Sequence, residues 1–182
     1  MTFDPEIYGA EVAAILSLGE NGRRLMPLAA GGCVSDRART MIREAGADRL
    51  FPRSRAPEAA LNGLYLYFGC WKEAHETAQE IATPEGCYWH ALVHRQEPDA
   101  ENAAYWFWRT GEHAIFPAVR EAASEIGIDV GPTWDPKAFI ELCEKARRGP
   151  GSELERQARE TQRAEWQLLF HYCAEPGGAH AA

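Results

Sequence analysis

Every apolar run in this chain recurs at the helical interval and is closed by a glycine or a proline, and that punctuation constrains the fold more than any other feature. Asp4-Pro5-Glu6 is a helix start, with an N-cap acceptor, a proline at the first helical position and an acid in the first turn. Ile7, Tyr8, Val12, Ile15, Leu16 and Leu18 follow at helical spacing and Gly19 stops them, which predicts a helix over 5–18. Residues 20–34 hold Pro27 and three glycines without a period and read as a loop. Ser35-Asp36 caps a helix to Ala45, ended by Gly46. After a proline-bounded connector over 51–56, Pro57 begins a helix to Phe68, Gly69 breaks it, and 71–82 returns beside it. The same pattern recurs as 86–96, a turn at Glu97-Pro98-Asp99, and 100–110. A helix over 113–126 closes at Gly127, one over 137–148 follows Asp135-Pro136, and Gly149-Pro150-Gly151 separates it from a last helix running to Ala174. No segment reads as a strand. The expectation is an all-α fold of eight or nine helices in antiparallel hairpins, either stacked or in an irregular bundle.

A chain of 182 residues, 46% of them hydrophobic, suits one domain (1–176) with a sizeable core, followed by a disordered tail over 177–182 in which His180 has no role. The net charge of −8, with basic residues scattered along the chain, argues against nucleic acid as a partner, because phosphate binding needs a concentrated positive face. No stretch approaches the 18 or so apolar residues of a membrane span and the N-terminus shows no leader pattern, so a cytoplasmic protein without membrane contact is expected. The five cysteines are odd in number, widely spaced and free of any C-x-x-C pair, and read as free thiols. The last helix is charged in its first half and apolar in its second, at Trp166, Leu168, Leu169, Phe170 and Tyr172, which predicts that it projects at one end and docks at the other.

The chemistry concentrates in residues 65–116, which carry 11 of the 19 aromatic side chains and four of the six histidines. His90 and His94, one helical turn apart, share a face and so could ligate one metal ion, with Cys87 on the same stripe and further donors from His75, His113, Glu97 or Asp99. The residues between them are Ala91, Leu92 and Val93, so the general-base glutamate of H-E-x-x-H is missing, and packing is the competing role for both imidazoles. Glu97, Asp99 and Asn102 surround a proline at a helix start, where Asp99 has the reach of an N-cap and the carboxylates could also serve as acid and base. Arg95 is expected to pair with one of these acids or with an anionic ligand. Tyr105-Trp106-Phe107-Trp108 point around more than three quarters of a helix circumference, so at least one must leave the core, and Trp89 could form the facing wall of a groove.

The two hairpins superpose at an offset of 29 residues, and Leu61, Tyr65, Gly69, Trp71, Ala74 and Ala78 fall where a tetratricopeptide or Sel1-type hairpin places its packing residues. The first hairpin therefore resembles that family over about 50 residues, with a shorter offset and no third copy. The string Trp89-His90-Ala91, His94-Arg95, Glu97, Asp99, Asn102-Ala103, Tyr105-Trp106-Phe107 and Gly111-x-His113 is similar to the signature of an uncharacterised family of small bacterial and fungal proteins. That resemblance implies no activity, only that 86–116 is the functional centre.

Two functions follow as expectations. One is a small organic ligand or peptide held in a groove walled by Trp89, Tyr105 and Trp106, with His90, His94, Arg95, Asp99, Asn102 and His113 supplying polar contacts. The other is a metal-assisted hydrolase in which His90 and His94 hold a divalent ion and Glu97 acts as base. A protein–protein adaptor using the last helix is an alternative to both.

Overall fold

The computed structural model describes residues 3–175, and among them it contains nine α-helices and no strand. After a 3-10 turn at Pro5–Tyr8 come α1 (Ala10–Ser17), α2 (Asp36–Leu50), α3 (Pro57–Tyr67), α4 (Trp71–Glu80), α5 (Pro84–Gln96), α6 (Ala100–Thr110), α7 (Phe116–Ile126), α8 (Pro136–Arg147) and α9 (Glu153–Ala174). The all-α expectation holds, with differences at helix ends. Gly9, at φ 96°, splits the first predicted helix in two. Gly46, at φ 68°, bends the second without ending it, and helical structure continues to Leu50. The anticipated caps are present: Ser35 accepts from the amide of Ala38, Asp99 from that of Asn102, Asp135 from that of Lys137 and Ser152 from that of Glu155. The tail expected over 177–182, with His180, lies outside the described residues.

Cross-contacts give the direction of the helices. The Asn62 amide donates to the Ala74 carbonyl across the Gly69 turn, the indole of Trp71 donates to the Val93 carbonyl, and the ring of His90 lies on that of Trp106 across the Pro98 turn. The sequence separations shrink toward each turn, so α3/α4, α4/α5 and α5/α6 run antiparallel. Helix α5 is enclosed on every side: all its residues from Gly86 to Gln96 are buried. It lies close to α3 because position 63 has no side chain. A Cβ there would come within 2.8 Å of Trp89 and 3.0 Å of Phe170.

From Ala158 onward α9 packs into the fold, which corrects the expectation that its charged half projects; its first turn, with Glu153 and Arg156, is exposed. Ala158, Thr161, Gln162 and Glu165 are buried as thoroughly as Trp166, Leu169, Phe170 and Cys173. Three polar side chains further along bind backbone. Arg159 donates to the carbonyls of Leu25 and Met26, Gln162 to those of Met26 and Pro27, and Gln167 to that of Gly22. These bonds satisfy loop carbonyls that have no ladder or helix partner. At the other end Phe3 and Tyr8 pack on Trp166 and Phe170, and the Tyr8 hydroxyl meets His171 Nδ1 at 3.1 Å. The loop ends beside the α3–α4 turn, where the Val34 amide donates to the Phe68 carbonyl and Cys33 is joined to Cys70. That pair corrects the reading of all five cysteines as free thiols: only Cys87, Cys143 and Cys173 are free, and all three are buried. No helix among the described residues is long and apolar enough to cross a membrane.

Candidate functional site

Helices α4, α5 and α6 bring three imidazoles together. His90 and His94 follow one another along α5 and their rings stack at 4.8 Å, while His75, from the facing turn of α4, meets both edge-on at 4.8 and 5.1 Å. Indoles close the cluster at two sides, Trp71 against His75 at 5.3 Å and Trp106 against His90 at 4.0 Å. His90 and His94 are buried, and His75 is partly open to solvent.

The nitrogens are disposed for ligation. One nitrogen from each of His75, His90 and His94 lies within 4.8 Å of the others, and His94, Glu97 and Asp99 form a second group of the same size. The three imidazoles, or His94 with the two carboxylates, could therefore hold a metal ion. His75 Nε2 and His90 Nε2 are 3.3 Å apart. A tetrahedral ion with bonds of about 2.0–2.1 Å places its ligand nitrogens roughly 3.3–3.4 Å apart, so this pair already has that spacing. His94 Nδ1 lies 3.0 Å from Glu97 Oε2. A carboxylate only accepts, so Nδ1 carries the proton and Nε2 presents its lone pair, the tautomer in which a metal-ligating histidine is held by a carboxylate.

Burial keeps two of the three rings, His90 and His94, neutral. Burial, and then the nearby His94 and His75, push the His90 imidazole down to about 4. Burial also lowers His94, against the opposing pull of Glu97. His90 Nδ1 is buried without a partner. The two buried, uncharged imidazoles are competent ligands, since metal binding to them displaces no imidazolium proton.

Several residues expected at the site are elsewhere. Trp89 is fully buried on the opposite face of α5, against Gly63 and Phe170, so it cannot wall a groove with Tyr105 and Trp106. Arg95 pairs with neither turn acid. It is 1% exposed and meets the fully buried Glu165 of α9 at 2.5 Å, while Tyr88 donates to the other oxygen of that carboxylate at 2.9 Å and Phe139 lies beneath the guanidinium. His113 packs among Tyr88, Phe116 and Tyr172, and its Nδ1 accepts from the amide of Ile115. Asn102 sits at the start of α6, its amide capped by Asp99. Cys87 is buried, with Arg109 near its sulfur. Tyr105 and Trp108 turn outward, 48% and 77% exposed. In the sequence Trp71 stands only as a packing residue of the first hairpin, although its place one turn before His75 on α4 signals the stacking. Glu165 was also missed. Its signal is a carboxylate at the edge of the run Trp166-Gln167-Leu168-Leu169-Phe170, where burial demands a cationic partner.

Comparison with protein-family models, with curated proteins and with solved structures finds no match for this chain.

Proposed function

We propose that the protein binds one divalent transition-metal ion, of the zinc type, through His75, His90 and His94. The observation that carries this reading is the convergence of three imidazoles from two helices, with His75 and His90 already at ligand spacing. Glu97 is the outer partner that fixes His94, which replaces the role of general base expected from sequence. Three protein nitrogens leave a fourth position, and a metal at such a site supplies an activated water, the chemistry of a metal-assisted hydrolase. His75 and Glu97, both open to solvent, give that position its approach.

Metal analysis of untagged protein purified without chelator tests the reading. About one ion per chain is expected in the wild type, and loss of that ion in the His75→Ala, His90→Ala double variant with the helical spectrum retained. Metal-free wild type that also fails to take up added zinc would refute it.

The second reading is recognition of an organic ligand or peptide on the outer face of α6, supported by the exposure of Tyr105 and Trp108. Substitution of both by serine, without loss of metal, separates the two.

A further inference from the structure

Away from the histidines, the beginning of α7 and the loop before α8 enclose a hollow of about 440 Å³, whose walls include Glu112, Phe116, Arg120, Glu121, Pro132 and Trp134. That volume is in the range of small-molecule sites. Its lining is of three kinds.

The first is cationic. The Nε of Arg120 donates to the Gly131 carbonyl at 2.8 Å, which ties the guanidinium to the rim. Among the described residues its terminal nitrogens pair with no carboxylate. Trp134 lies under the same hollow, only 6% exposed, with its indole N–H buried without a partner. The second kind is anionic: the carboxylates of Glu112 and Glu121, both on exposed residues, stand on the same rim. The third is apolar, the rings of Phe116, Trp134 and Pro132.

We infer that this hollow binds a free α-amino acid with an aromatic or large apolar side chain. Arg120 takes the carboxylate, as a fork of donors suits it. Glu112 or Glu121 takes the ammonium, and the side chain lies against Phe116 and Trp134. A simple carboxylic acid leaves two glutamates facing nothing of opposite charge, and a simple amine leaves the guanidinium in the same position. Only a ligand carrying both charges matches the rim. The site shares no residue with the histidine cluster and stands or falls independently of it.

The test uses the full chain, labelled with nitrogen-15, with the Trp134 indole N–H signal assigned from a Trp134→Phe variant. L-phenylalanine is expected to move that signal saturably. 3-Phenylpropionate and phenethylamine, which lack one charge each, are expected to bind roughly 10–100-fold more weakly, the loss of a charge-assisted hydrogen bond. Arg120→Ala should weaken L-phenylalanine to a similar extent and Arg120→Lys less, with the remaining signals unmoved. Equal binding of either single-charge analogue overturns the assignment to an amino acid. A Trp134 signal unaffected by all three compounds overturns the site.

Discussion

Lowering the pH on the metal-free protein probes the histidine cluster directly, because His90 must shed solvent to fold and its two nearest ionisable neighbours are imidazoles. Its pKa is pushed from the ordinary 6.5 down to about 4 in the fold. The unfolded chain therefore takes up the proton first as pH falls, so the stability held by the neutral ring is fully present above 6.5 and is lost progressively between 6.5 and about 4. The gap is worth about 3 kcal/mol once pH is below both values, and about 2 kcal/mol at about pH 5. Urea unfolding followed by circular dichroism, from neutral pH to about pH 4.5 in chelator, measures it for wild type and for His90→Gln. The variant starts from lower stability, but its pH slope should be shallower by about 2 kcal/mol over that interval, since glutamine does not titrate. Equal slopes in the two proteins would refute the claim that burial among imidazoles holds His90 uncharged.

Glu97→Gln should keep the fold and lower zinc affinity about 10–100-fold in a competition titration, the usual effect of removing the carboxylate behind a ligating histidine. Arg95→Ala leaves the Glu165 carboxylate buried without its cation and should cost about 3–5 kcal/mol in urea unfolding, with Glu165→Gln in the same direction. Gly63→Ala drives a methyl group into Trp89 and Phe170 and should cost about 1–3 kcal/mol by the same measurement, whereas Gly31→Ala, where a Cβ meets nothing within 4 Å, should lie within about 0.5 kcal/mol of wild type.

The helices were legible because their ends are written locally. Asp99, Asp135 and Ser152 cap as their positions require, and α6 and α9 begin and end at Ala100, Thr110, Glu153 and Ala174 as the punctuation predicts. The meeting of His90 with His94 was equally local, since one turn of helix fixes it. What escaped the sequence was long-range pairing. Nothing near Arg95 indicates that its partner lies 70 residues away at Glu165, and the nearer acids Glu97 and Asp99 offered a simpler answer. Trp89 was misplaced because a fully buried helix has no polar face to orient it: Gly63, on another helix, decides which side its indole takes. The charged half of α9 resembles a solvated surface until its arginines and glutamines are seen to bind loop carbonyls, and no periodicity encodes that use.

That stitching of α9 to residues 22–27 sets an order of events at the ribosome. Phe3, Tyr8 and the carbonyls of Gly22, Leu25, Met26 and Pro27 take partners on a helix made more than 130 residues later. Until that helix emerges these rings and carbonyls lack the partners it gives them, and this face of the core cannot close.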